Sequence, residues 1–223
     1  MRASLLVLCI VASPGLAQEA RPVPVSSAPP VTEVPFEVPA PAGTASRPRD
    51  EEKGYRHLGG FFRMTLGGGY LSTTPSPSGA AAFSSGAASL SAAVGYAVAE
   101  DWILAGDAWV SAAPAGKLGR DWTLGLTGFG LNVTHYFMPA NIYLSFVPSV
   151  TVVTVSDKNS EVVRETQAGF GARFSLGKEW WVADHWGIGI AVEGFFASNH
   201  EQSSAQPVWT TVGGSLVFSS TYN

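Results

Sequence analysis

From Gly59 to Asn223 apolar and polar residues alternate in steps of two. Starting at Ala88, one face carries Ala88, Leu90, Ala92, Val94, Tyr96 and Val98, and the other carries Ser89, Ser91, Ala93, Gly95, Ala97 and Ala99. A period of two is the signature of a strand whose faces meet different surroundings. It recurs at Ile142, Leu144, Phe146, Val150 and Val152 against Asn141, Tyr143, Ser145, Ser149 and Thr151, and at Ile188, Ile190 and Val192 against Gly187, Gly189, Ala191 and Glu193. In Gln167–Trp180, Arg173 and Glu179 fall on the face opposite Phe170, Phe174 and Leu176.

The pattern predicts eight strands, over 60–72, 86–99, 102–113, 122–137, 141–155, 164–182, 186–198 and 208–222. Their connections alternate between tight turns at 99–101, 138–140 and 183–185 and longer Ser-, Gly-, Pro- or charge-rich loops at 73–85, 114–121, 156–163 and 199–207. An even strand number with short turns on one side and long loops on the other predicts an all-β fold, an eight-stranded antiparallel up-and-down transmembrane β-barrel. A β-sandwich would turn its apolar faces inward and has no reason for the loop asymmetry.

Aromatic residues extend this pattern. Trp102, Phe137, Tyr143, Trp180, Trp181, Trp186 and Tyr222 lie beside the short turns or the carboxyl terminus and are expected to form one interfacial girdle. Tyr70, Trp109, Trp122, Phe195, Phe196 and Trp209 lie near the long loops and are expected to form the other, although Trp109, Trp181, Phe195 and Trp209 have inward parity and could plug the lumen. In the fourth strand Leu124 and Leu126 share one parity while Phe129, Leu131 and Val133 take the other, which predicts a bulge near Thr127–Gly130. A second bulge is expected at Pro148, which lacks a ladder donor. The run Gly67-Gly68-Gly69 predicts a bend or close packing against lumen side chains.

The amino-terminal segment lacks this alternation. Arg2, the apolar run Leu5–Ala12 and the small-residue exit Gly15-Leu16-Ala17 predict a secretory signal peptide over 1–17. The only cysteine, Cys9, lies within it, so the mature chain is expected to hold no thiol or disulfide. Residues 18–58 carry eight prolines and no hydrophobic period, which predicts a disordered periplasmic tail or linker of extended character. The barrel is expected to occupy 59–223.

Composition narrows the chemistry. The formal net charge is −4, and residues 59–223 hold seven Lys or Arg and eleven Asp or Glu, which argues against a nucleic-acid surface. After the signal no apolar run approaches the ~18 residues of a membrane helix. Of the histidines, His57 falls in the tail, His185 in a turn and His200 in a long loop. His135 alone is strand-borne, and Thr134 and Tyr136 beside it offer no base-and-hydroxyl arrangement for acyl transfer. The expectation is that the chain is not an enzyme and has no catalytic, cofactor-binding or metal site.

The extent of this pattern, with phrases such as VGYAVAEDWILAGDAWV and GIGIAVEGFF, resembles the small eight-stranded outer-membrane barrels of Gram-negative bacteria, the class that includes the transmembrane domain of outer membrane protein A and the compact protein X. The chain departs from that class in ending VFSSTYN, with Asn223 where an aromatic residue is usual. The resemblance implies a monomer in the cell outer membrane with both termini periplasmic, and a structural, membrane-stabilising or surface-interaction role. Its partners would be outer-membrane lipid, lipopolysaccharide and the outer-membrane assembly machinery. The alternatives are a narrow transport or lipophile-binding barrel, and then a lipid-modifying enzyme. An eight-stranded barrel has an interior that side chains just fill.

Five charged residues have inward parity: Arg63, Asp107, Arg173, Glu179 and Glu193. They are expected to form a polar cluster across the lumen, with Arg173 pairing with Glu193, because each buried charge needs a partner.

Overall fold

The computed structural model of the chain describes residues 56–76, 82–115, 121–202 and 207–223. The signal peptide, and the proline-rich segment as far as residue 55, lie outside the described residues. Among the described residues nine strands form: β1 (Gly60–Ser76), β2 (Phe83–Ala99), β3 (Trp102–Pro114), β4 (Thr123–Phe137), β5 (Ile142–Ser156), β6 (Val162–Glu165), β7 (Gly169–Ala183), β8 (Trp186–His200) and β9 (Val208–Tyr222). Each long strand pairs antiparallel with its neighbour in the chain, and β1 pairs with β9 from Phe62↔Tyr222 to Ser76↔Val208, so the sheet closes on itself. Among the described residues this closure leaves the eight long strands paired on both sides, while the short β6 pairs with β5 alone.

Eight staves build the wall, because β6 and β7 run along the same side of β5. Thr154↔Glu165 and Thr151↔Gly169 differ by one residue in register, which marks a bulge on the β6–β7 side. The predicted sixth strand is therefore interrupted at Thr166-Gln167-Ala168. Two side chains close the gap: Thr166 Oγ1 accepts from the Val153 amide at 3.0 Å, and Asn199 Nδ2 donates to Thr151 O at 2.7 Å. The strands also climb further toward the long loops than expected, to Ser76 and from Phe83, so those loops are shorter than 73–85 implies.

Alternation fixes the two faces. Leu66, Val94, Phe129, Leu144, Phe174, Val192 and Phe218 stand exposed on the outside, while Arg63, Ser91, Asp107, Asn132, Ser145, Arg173 and Glu193 are buried inside. The bulge expected in β4 does not form. Its register with β3 runs unbroken from Trp102↔His135 to Pro114↔Thr123, and Leu124 and Leu126 point into the lumen as regular inward residues. They do so because the lumen near the long loops is itself apolar. Pro148 also sits without a bulge, since Gly130↔Ser149 and Val133↔Phe146 keep one register across it, and the loss is confined to the local ladder bond. The Gly67 and Gly69 positions bring β1 close to β9: a Cβ at Gly69 would run into the Gly214 carbonyl, and one at Gly67 into that of Leu216.

Candidate functional site

With the apolar side chains turned outward, the candidate chemistry lies in the lumen, and it is divided by height. Toward the long loops Leu71, Phe83, Leu124, Leu126, Val153 and Val155 pack into an apolar plug, with Trp109 and Phe195 as its floor at a centroid separation of 5.6 Å. Trp122 and Trp209 pack partly buried against it. Gly128 and Gly213 leave room for these rings, since a Cβ at either would collide with Trp109 or Phe195. Trp109 and Phe195 therefore serve the plug and not a girdle, whereas Tyr70 and Phe196 do face outward.

Below this floor charged and hydroxyl side chains share the lumen with a second apolar cluster that includes Phe61, Ile103 and Val217. All five charges read from the sequence are inside, each at most 4% exposed, and they gather into two groups. In the first, Arg173 Nη2 lies 2.7 and 2.8 Å from the two Asp107 oxygens, while its Nη1 is 3.5 Å from Glu193 Oε1. Asn132 Nδ2 donates to Asp107 Oδ2 at 2.8 Å, and Ser175 donates to Glu193 at 3.3 Å. The main partner of Arg173 is thus Asp107, across the lumen, and Glu193 is its weaker second. The residue paired with Arg173 in the sheet is Phe195, while Glu193 pairs with Ser175.

In the second group, Arg63 Nε lies 3.3 Å from Glu179 Oε1, and Arg63 Nη2 donates to the Tyr136 hydroxyl at 2.5 Å. Tyr136 donates in turn to Glu179 Oε2 at 2.9 Å, and Thr221 donates to Glu179 Oε1 at 2.7 Å. The guanidinium also lies 4.0 Å from the Tyr143 ring centroid. Both tyrosines are buried, so Tyr143 belongs to the lumen and not to the girdle, as its odd parity in β5 requires. Charge-assisted bonds of this kind are the strong ones, and a low local dielectric makes each partner costly to remove.

The base is closed by a residue that sequence reading assigned to the tail. His57 is fully buried beneath Tyr136, with ring centroids 3.4 Å apart, and 5.1 Å from Trp181. Its Nε2 bonds Asn141 Oδ1 at 2.8 Å and its Nδ1 meets Asn223 Nδ2. Burial pushes the imidazole below its ordinary range, opposed by the Asn141 bond and by the Glu179 and Asp101 charges. Trp181 is turned to this base and leaves the girdle to Trp102, Phe137, Trp180, Trp186 and Tyr222, all exposed. Parity signalled Tyr136, Tyr143, Asn132 and Asn141; nothing local signalled His57 or its meeting with Asn141 and Asn223.

His135 faces outward in the girdle, stacked on Trp102 at 4.4 Å, with Nδ1 3.2 Å from Asp101 O. Its neighbours Thr134 and Tyr136 are buried on the other face, so no hydroxyl is presented to it from its own strand. Among the described residues no three His, Cys, Asp or Glu side chains gather as a metal site.

No protein-family model matches the chain, and no curated protein matches it. Solved structures do. The crystal structure of Neisserial surface protein A is 14% identical, the match covering 72% of this chain and 96% of that one, with a TM-score of 0.50. The outer membrane protein AlkL, solved by solid-state NMR in DMPC lipid bilayers, is 13% identical over 84% of this chain and 96% of its own, with a TM-score of 0.41. OprG from Pseudomonas aeruginosa is 16% identical over 75% and 98%, with a TM-score of 0.38. The likeness to the first is one of fold: a small, closed, eight-stranded β-barrel.

Proposed function

We propose that the chain is an integral outer-membrane protein without catalysis, a closed barrel with a structural, membrane-stabilising or surface-interaction role. The observation that carries this reading is the contrast between its faces. The outside is a continuous apolar surface edged by aromatics at the short-turn end, and the inside is packed with paired charges below and an apolar plug above. A soluble protein has no use for so large an exposed apolar surface, and lipid accounts for it. A filled interior supports a role carried by the loops and the wall rather than by a solute path. Its partners on this reading are lipid, lipopolysaccharide and the assembly machinery, and it acts as a monomer with both termini in the periplasm.

Two measurements test the reading. The unheated protein should migrate differently from the heated one on detergent gels, and planar bilayers containing it should show no stable conductance steps; regular openings would favour the transport alternative. On intact cells a cysteine at Ser160 should react with an impermeant thiol reagent while one at Ala140 should not, and labelling of Ala140 alone would reverse the orientation.

A further inference from the structure

The eight long strands turn a single Lys, Arg, Asp or Glu outward among the described residues, and it is Lys178. In the sheet it stands between Ile142 of β5 and Ile190 of β8. A charged side chain on the lipid face is costly unless it reaches the interface, and Lys178 is placed to do so beside the girdle: its Nζ donates to Ala140 O in the short turn at 2.5 Å and lies 5.7 Å from the Trp180 ring. An ammonium has three donors. One is taken by Ala140, and among the described residues Lys178 has no ion-pair partner.

Next to it the outer wall is hollowed. A groove of about 300 Å³ opens on the apolar face, at the small end of the range for ligand sites. Its floor is the backbone of the cross-strand pair Gly177 and Ala191, the Ala191 methyl being buried on the lumen side. Leu176, Val192 and Leu216, aligned in one row across β7, β8 and β9, form its walls. A shallow apolar trough therefore ends at one lysine with unused donors, at the height where headgroups meet acyl chains.

We propose that this groove binds one anionic glycerophospholipid of the leaflet at the short-turn end, with its phosphate on the Lys178 ammonium and an acyl chain along Leu176, Val192 and Leu216. The inference rests on the membrane reading above. Charge complementarity selects the headgroup, and the absence of any polar side chain along the walls selects a chain and not a peptide.

The test is native mass spectrometry of the detergent-solubilised full mature chain titrated with phosphatidylglycerol or phosphatidylcholine, with detergent-gel heat modifiability as the check on folding. The wild type should retain one phosphatidylglycerol in preference to phosphatidylcholine. Lys178→Gln should weaken phosphatidylglycerol retention about five-fold, the worth of one cation at an anionic surface, and leave phosphatidylcholine unchanged. Lys178→Arg should keep the preference, and Val192→Trp, which fills the trough, should weaken both lipids. Equal retention by wild type and Lys178→Gln, or displacement by inorganic phosphate alone, would overturn the proposal. Loss of heat modifiability in the wild type would instead overturn the membrane reading on which it stands.

Discussion

The two halves of the lumen solve one packing problem with opposite chemistry. Toward the long loops the interior is closed by Leu71, Leu124, Leu126, Val153 and Phe195, which need only fit, and by Trp109, whose indole also donates to Ser149 Oγ at 3.0 Å. Toward the short turns it is closed by Arg63, Glu179, Asp107, Arg173 and Glu193, which need to fit and to be paired. Apolar packing degrades gradually, because the surroundings of a lost methyl group relax in part. A buried ionic network does not, since one deletion leaves an unpaired charge that no solvent reaches. The base half therefore adds charge pairings across the lumen to the strand order that the ladders set, while the upper half is held mainly by packing.

The largest effect should come from breaking that network. Arg173→Met leaves Asp107 and Glu193 without their cation and should lower the unfolding free energy of the vesicle-reconstituted barrel, measured in urea, by roughly 3–5 kcal/mol. Double-mutant cycles sharpen the point: Asp107→Asn should couple to Arg173→Met more strongly than Glu193→Gln does, following the 2.7 and 3.5 Å separations. Strict additivity in both cycles would remove the network as a unit.

In the upper half Leu126→Ala should cost about 2–3 kcal/mol by cavity formation, with the same value in low and high salt. A salt-dependent loss there would erase the contrast between the halves. A smaller effect belongs to the neutral hydroxyl pairs of the interior: Ser91→Ala, which strips the 2.7 Å partner from Thr65, should cost about 1 kcal/mol in the same unfolding assay.

The smallest effect is the dependence on pH, and it should be confined to the base. His57 is held below its ordinary value of 6.5 by burial. Above that value both folded and unfolded chains carry it neutral, and it adds no slope. As pH falls below about 6.5 the unfolded chain binds a proton that the folded barrel refuses, so stability should decline from there toward the depressed folded value. Comparing wild type with His57→Phe over this window isolates the term, and identical pH profiles would show that the base closure is indifferent to the imidazole.

Much of this architecture was legible in the chain. The period of two named the strands, the loop asymmetry gave the two ends, and parity alone sent Arg63, Asp107, Arg173, Glu179 and Glu193 inside. It misled where one parity carries different chemistry at different heights. Leu124 and Leu126 looked out of phase with Phe129 and Leu131, and a bulge was the local explanation; the apolar upper lumen made it unnecessary.

What the sequence determines here is the direction of each side chain, because direction follows from the backbone pleat and is set within two residues. What only the tertiary structure decides is who meets whom. Asp107 and Arg173 are 66 residues apart on β3 and β7, which share no ladder, and they meet because closure of β1 on β9 folds the sheet into a tube too narrow to keep them apart. His57 reaches Asn141 and Asn223 for the same reason. Cross-lumen partners depend on the stagger and tilt of the whole barrel, a global quantity that no local period contains.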